Sequence, residues 1–455
     1  MARPRTVYEC EACGAQAPKW SGQCADCGAW NTLSESRMEP TSGPSRGARG
    51  GGQYAGATGV VNLGEVQGRE EARIGTGIGE MDRVLGGGLV TGSAVLIGGD
   101  PGIGKSTLLL QVCARLAGDR KVLYVTGEES LEQVRLRGER LQVTAQELRL
   151  AAETCIERII ATAEAERPGV LVVDSIQTIF SEALQSAPGA VGQLREATAQ
   201  LVRFAKQTGT AVFLVGHVTK QGTIAGPRVL EHMVDTVLYF ENDAGSRYRV
   251  VRAVKNRFGA VNELGVFAMD EQGLREVKNP SAIFLSGHQK DVPGSVIMVA
   301  REGSRPLLVE VQALVDESHM HNPRRVALGL DPNRMAMLLA VAHRHGGIAM
   351  ADQDVFVNVV GGLRVEETAA DLALLMAALS SFRDRPVPSD LVCFGEVGLS
   401  GEVRPVYNGE ERIHEAAKHG FRRAVVPRAN QPRRVPEGLE VIPVNRVAEA
   451  FDVGQ

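Results

Sequence analysis

The ten residues from Gly98 to Thr107, GGDPGIGKST, restrict the fold of this chain more than any other stretch. Gly99 to Ser106 matches G-x-x-x-x-G-K-S/T at every fixed position. The apolar run AVLIG comes before it. GKSTLLLQVCARLAG, apolar at helical spacing and stopped by Gly118, comes after. Strand, glycine-rich turn and helix in that order form a phosphate cradle. The glycines let backbone N–H groups converge on phosphate oxygens, and the helix N-terminus adds positive potential at the same point. The cradle residues are Gly99, Asp100, Pro101, Gly102, Ile103, Gly104, Lys105, Ser106 and Thr107. Lys105 is expected to reach the β- and γ-phosphates of a nucleoside triphosphate, and the Ser106 hydroxyl to ligate Mg2+.

A cradle alone binds; hydrolysis needs carboxylates. PGVLVVDS is a buried strand that puts Asp174 at its tip, where the carboxylate holds the Mg2+ shell. KVLYVTGEES is a neighbouring strand ending at Glu128 and Glu129. One of the two is expected to orient and deprotonate the attacking water; Glu128 is the favoured base and Glu129 its rival. His217 closes the strand TAVFLVGH, either as a sensor of the γ-phosphate or as a satisfied histidine at a sheet edge. VRLRGERL and VGQLREATAQLVRFAKQTG are predicted helices, the latter burying Leu194, Leu201, Phe204 and Ala205. TVLYFEN and YRVVRAVKNRFG are predicted to pair as strands. Apolar strands alternating with helices give an α/β fold around a largely parallel sheet covered on both faces.

The two ends of the chain differ from this core. Cys10 and Cys13 form one C-x-x-C, and Cys24 and Cys27 another. Two such knuckles complete a tetrahedral four-cysteine site for Zn2+, closed to substrate and therefore structural. Both tryptophans of the chain, Trp20 and Trp30, lie beside them. The segment that follows is rich in Gly, Ser, Pro and Arg and is expected to be a flexible linker. From about Pro280, SVIMVA, LLVEVQALV and DVFVNVVGG are predicted strands, and PNRMAMLLAVAHRHGG and VEETAADLALLMAALSSF predicted helices. The second helix is expected to carry Leu372, Leu375, Leu379 and Phe382 on one stripe. The expected domains are thus residues 1–33, a zinc module; 34–57, the linker; 58–279, the ATPase core; and 280–455, a further domain. A length of 455 residues suits roughly three domains. The net charge of −4 does not advertise a nucleic-acid binder, although a local basic surface is compatible with it. No segment approaches the ~20 apolar residues of a membrane span, and the N-terminus carries charges and cysteines rather than an apolar signal core, so a cytoplasmic protein without membrane partners is expected. Cys113, Cys155 and Cys393 are expected to be small buried hydrophobes.

TGIGEMDRVLGGGLVTGSAVLIGGDPGIGKSTLLLQ closely resembles the core of the RadA (Sms) family of bacterial DNA repair proteins. The resemblance covers nearly the whole chain. It rests on the four-cysteine hook, the cradle, VVDSIQT, and the pentapeptide KNRFG from Lys255 to Gly259, in that order. It implies a RecA-like P-loop ATPase core that assembles as a homo-hexamer around DNA. It further implies ATP-driven movement on single-stranded DNA and branch migration of branched recombination intermediates, in partnership with the RecA recombinase. In the family, Lys255 and Arg257 are tied to coupling ATP use with DNA at subunit boundaries. As a cation pair on a turn, they are suited to reaching a neighbour's γ-phosphate or a DNA phosphate. VTKQGTIAGPRVLEHMVD resembles the DNA-facing loop of RecA-like proteins; its Lys220 and Arg228, amid Gly and Thr, suit backbone tracking with weak sequence preference.

GEVGLSGEVRPV and the helix before it resemble the protease domain of Lon, an α+β fold that uses a Ser nucleophile and a Lys base. Aligned motifs put Ala369 at the nucleophile position and Glu410 at the base position, so peptidase chemistry is expected to be lost. Ser380, Ser381 and Ser400 are expected to be packing or surface residues. Arg404, Arg412, Arg422 and Arg423 are expected to supply cations to a ring scaffold. A signalling ATPase with a RecA-like core, an ATP-dependent protease and a zinc-anchored adaptor are the competing readings.

Overall fold

The computed structural model describes residues 5–10, 16–17, 19–25, 28–38, 72–143, 147–217, 229–241, 248–285, 292–319, 321–361 and 363–453. The chain divides into two units between Val277 and Lys278. Among the described residues no helix is long and apolar enough to cross a membrane.

The first unit is built on a nine-stranded sheet. Its order, edge to edge, is Gly273–Glu276, Leu264–Asp270, Tyr248–Asn256, Thr236–Glu241, Ala94–Gly98, Ala211–Val215, Val170–Asp174, Val122–Thr126 and Leu148–Ala152. From Thr236–Glu241 to Leu148–Ala152 all neighbours are parallel; the other three strands are antiparallel additions. Alternation along each strand feeds two cores. Val95, Ile97, Val172 and Phe213 pack on one face with Leu108, Leu109 and Val112 of the helix Lys105–Leu116. Ala94, Leu96, Val173 and Leu214 pack on the other with Ile159, Leu194, Leu201, Phe204 and Ala205 of the helices Ile156–Glu166 and Val191–Thr208. A parallel strand covered on both faces has no polar side, which is why these runs are continuously apolar. The edge strand Leu148–Ala152 carries no such run and is half-exposed, so its sequence, LRLAA, did not mark it as a strand.

Near the N-terminus, Arg5–Cys10 pairs antiparallel with Gln16–Ala17 and with Leu33–Met38. That second pairing carries regular structure past the boundary expected at residue 33, because ladder hydrogen bonds need no apolar side chains. Most of the expected linker lies outside the described residues.

The second unit holds a seven-stranded mixed sheet in the order Arg325–Leu328, Gln353–Val359, Arg305–Glu317, Ser295–Glu302, Leu391–Cys393, Arg423–Pro427 and Glu440–Val444. The helix Asp371–Phe382 corrects the one-stripe expectation. Leu372, Leu374, Leu375, Met376 and Leu379 are all buried, so the helix is covered around its circumference, while Phe382 is exposed. The helix Pro332–Gly346 starts with Asp331 accepting from the backbone N–H groups of Asn333 and Arg334 and has Pro332 in its first turn, a standard N-terminal arrangement. Ser380 accepts from the Gly294 N–H and donates to the Arg385 carbonyl; Ser381 accepts from the Val315 N–H. Both serve packing.

Candidate active site

The strand Ala94–Gly98 delivers the chain into the cradle, and the helix Lys105–Leu116 starts on its last residues. Gly104, the residue before the helix, has φ +116°, and a Cβ there would meet Met269 Cε at 2.8 Å. Only glycine fits that turn. Lys105 is buried, and its Nζ donates to the carbonyls of Gly99 (2.8 Å) and Asp100 (2.9 Å). Burial draws its pKa down to about 8, against the opposing pull of the Asp174, Glu128 and Asp100 carboxylates.

Three adjacent parallel strand ends bring the remaining groups together. Asp174 lies at the tip of Val170–Asp174, largely buried, and accepts a short hydrogen bond from Tyr124 Oη. Burial and the neighbouring carboxylate hold the Tyr124 hydroxyl well above its ordinary pKa. Thr126 pairs with Asp174 in register, so the next residues of both strands emerge side by side. Ser175 Oγ donates to Glu128 in a short contact. His217 lies two residues beyond Ala211–Val215, with Nδ1 3.1 Å from Lys105 Nζ and Nε2 3.2 Å from Glu128 Oε1. An imidazole protonated on Nε2 satisfies both neighbours, accepting from the ammonium and donating to the carboxylate. The histidine hydrogen bond, against partial burial and with the Ser175 bond in support, holds Glu128 below the ordinary carboxylate range. The strand before His217 is interior to the sheet, so the histidine is satisfied by its two neighbours rather than placed at a sheet edge.

Glu129 points elsewhere. Thr126 Oγ1 accepts from the Glu129 N–H and donates to its carbonyl, and Ser130 caps the helix Leu131–Arg140. That turn rotates the Glu129 carboxylate onto Arg137 of the helix, in a short ion pair. Glu128, not Glu129, therefore faces Lys105. Tyr124 and Ser175 were missed from sequence. A phenol inside the otherwise aliphatic run VLYVT was the available signal, since a buried hydroxyl requires a partner.

Ser106 and Asp174 offer a hydroxyl and a carboxylate, hard oxygen donors of the kind Mg2+ takes, and Asp174 is close enough to Lys105 to affect its charge. The donor set fits the ion.

Residues 66–223 match the AAA domain family model, residues 8–35 the rubredoxin metal binding domain, and residues 334–430 subunit ChlI of Mg-chelatase. The chain is 64% identical over 454 residues to the DNA repair protein RadA of Pseudomonas aeruginosa, covering 99% of each. It is 58% identical to that of Escherichia coli, over 99% of this chain and 98% of the relative. It is 49% identical to that of Bacillus subtilis, over 99% of each. The chain belongs to the RadA family of DNA repair proteins. With its AAA domain it is an ATPase, flanked by an N-terminal zinc ribbon and a Lon-like C-terminal domain.

In this RadA family member the KNRFG turn lies at the opposite end of the sheet from the cradle. Asn256 pairs with Thr236, and Thr236 with Val95, at the start of the strand whose far end is Gly98. Lys255 and Arg257 thus take no part in the cradle of their own chain. Lys255 Nζ donates to the carbonyls of Glu231 (2.7 Å) and Val234 (2.8 Å), and burial and then Arg257 lower its pKa. A Cβ on Gly259 would meet Gly86 Cα at 2.9 Å, which explains the glycine that ends the motif. Lys220 and Arg228 lie outside the described residues.

Cys10 and Cys24, one from each knuckle, are buried in one small cluster with Leu33, and neither forms a disulfide. Two thiols from separate knuckles packed together suit a thiolate metal site. Cys13 and Cys27 lie outside the described residues. Cys113 and Cys393 are fully buried hydrophobes; Cys155 is buried too, but its Sγ donates to Glu157.

In the Lon-like domain Ala369 contributes its methyl to the core beside Val299 and Phe394, and Glu410 is exposed on the helix Gly409–Lys418. Arg412 departs from the expectation of a surface cation. It is 1% exposed, forks onto both Glu367 oxygens at 2.8 and 2.6 Å, and donates to the Val299 and Tyr407 carbonyls. A guanidinium so enclosed is satisfied internally and lines nothing. Arg404 pairs with Glu402 and Arg423 with Asp390; Arg422 is exposed without a carboxylate partner among the described residues.

Proposed function

We propose that this chain is a cytoplasmic DNA-dependent ATPase of homologous recombination and repair. It works as a hexameric ring that translocates on single-stranded DNA and, with RecA, drives branch migration. What supports the reading is the separation of its two cation sets. The Lys105 cradle, with Glu128 as base, occupies one end of the sheet, and Arg257 occupies the other. Within one chain the two sets do not meet, so Arg257 serves a neighbour's nucleotide. Closing such contacts in a head-to-tail fashion generates a ring. A DNA strand in its centre is contacted through Lys220, Arg228 and Lys255.

ATP is the substrate. Mg2+ held by Ser106 and Asp174 would offset triphosphate charge, while Lys105 binds the phosphates and Glu128 orients and deprotonates the water. Zn2+ on Cys10, Cys13, Cys24 and Cys27 would brace the ribbon. The C-terminal domain, without a nucleophile at Ala369, is a scaffold and not a protease. The domains fall at residues 1–38, 58–279 and 280–455, the ribbon's last strand running past the boundary expected at residue 33 to Met38 and leaving 39–57 as the linker.

The decisive experiment is strand displacement from branched DNA with ATP. The wild-type chain should displace an annealed strand and turn over ATP faster on DNA; Lys105→Ala should do neither. Turnover indifferent to DNA, with no displacement, would overturn the proposal in favour of a signalling ATPase.

A further inference from the structure

One buried carboxylate sits under the arginine of the KNRFG turn. Asp235 precedes the strand Thr236–Glu241 and is 3% exposed. Its Oδ2 accepts from the Ala94 N–H (3.0 Å) and from Lys206 Nζ (2.7 Å). Its Oδ1 accepts from Arg257 Nη1 (3.3 Å), and its carbonyl accepts from the Arg257 N–H (3.1 Å). Lys206 lies 5.8 Å from the centroid of the Phe258 ring. Residues 231–235 are therefore the seat of the motif: Lys255 rests on two of their carbonyls and Arg257 on Asp235.

The ion pair is lopsided. The Asp235 side chain is 4% exposed and the Arg257 side chain 57%. A guanidinium has five N–H donors in a rigid fork, and the bond to Asp235 uses one nitrogen. The rest of the fork faces outward. Tethering an arginine at one nitrogen removes rotamer freedom before a phosphate arrives, so less order remains to be imposed on contact. Lys206 and the Ala94 N–H occupy the other carboxylate oxygen, which leaves Oδ1 to Arg257.

We propose that Asp235 is the positioning residue for Arg257: it tethers one end of the guanidinium and aims the other at a phosphate held in the cradle of an adjoining copy. This rests on the reading that Arg257 works across a subunit boundary. Because Asp235 also bonds the first residue of the cradle strand, it ties the Arg257 of a subunit to the root of that subunit's own nucleotide site.

The test is subunit mixing with the full chain. Asp235→Asn keeps an acceptor for Ala94 and loses the charge. Its DNA-stimulated ATP turnover should fall about tenfold or more, with the affinity for a fluorescent ATP analogue unchanged. Asp235→Glu should recover part of the loss. Mixing Asp235→Asn with Lys105→Ala, each impaired alone, should restore turnover, because the intact Arg257 of one then meets the intact cradle of the other. Arg257→Ala mixed with Lys105→Ala should behave identically. Should Asp235→Asn not fold by circular dichroism, Asp235→Asn with Lys206→Met, which removes the paired opposite charges together, takes its place in the same mixture. Normal turnover of Asp235→Asn beside a defective Arg257→Ala overturns the inference and leaves the Arg257 reading standing. Loss of nucleotide affinity, or no recovery on mixing while Arg257→Ala recovers, assigns Asp235 a purely structural role and also overturns it. A fully active Arg257→Ala overturns the reading beneath it.

Discussion

The nucleotide site and the Lon-like domain handle charge in opposite ways. At the cradle, Lys105, Glu128, Ser175, His217 and Asp174 converge from four parallel strand ends, and Glu128 remains partly exposed. In the Lon-like domain Ala369 is a core methyl, Glu410 is out in solvent, and the charges near Ala369 are paired, Arg412 with Glu367 and Arg334 with Asp371. Polar groups that converge and keep a face open can do chemistry; polar groups that satisfy one another hold a fold. The two regions therefore differ in how far their charged groups stay open to solvent.

The largest expected effect breaks the first half of that comparison. Glu128→Gln should lower ATP turnover by about 10²-fold or more while analogue binding persists, whereas Glu129→Gln, which weakens a partly buried pair with Arg137 directed away from Lys105, should change turnover by no more than about threefold. Steady-state phosphate release checks both, and equal losses would erase the distinction drawn from where the two carboxylates point. Next comes the enclosed pair. Arg412→Ala leaves Glu367 without its partner and should destabilise the C-terminal unit by about 3 kcal/mol, seen by calorimetry as a lowered transition. Affinity for ATP should not follow it. An unaltered transition would show that the pair is not what holds the segment before Ala369.

A third expectation concerns pH. Burial puts the Lys105 ammonium at about 8 in the nucleotide-free chain. Below that pH the charge is present and available to phosphate. As pH rises through 8 the amine turns neutral, and binding must take up a proton, so affinity should fall, approaching about tenfold per pH unit. Titration with a fluorescent ATP analogue between pH 7 and 9.5 reads this directly, and a flat profile would contradict the burial of Lys105. The smallest expected effect is none: Ala369→Ser with Glu410→Lys should yield no casein cleavage, because the position of residue 369 is buried in the core. Cleavage would collapse the contrast between the two regions.

Contiguous chemistry was legible without coordinates. The strand, glycine-rich turn and helix of the cradle, and Asp174 at a strand tip, each depend on a few neighbouring residues, and local spacing suffices to place such groups. The parallel core was legible for a similar reason, since strands buried on both faces are written as continuous apolar runs. Tertiary structure alone decided the rest. Glu128 and Glu129 are adjacent and chemically identical, and only a turn set by Thr126 and the position of Arg137 separates their surroundings. Tyr124, His217, Asp235 and Arg412 acquire their meaning from partners 50, 112, 141 and 45 residues away, respectively. Burial and strand order create those pairings, and a buried polar group takes its function from whichever partner the fold brings to it.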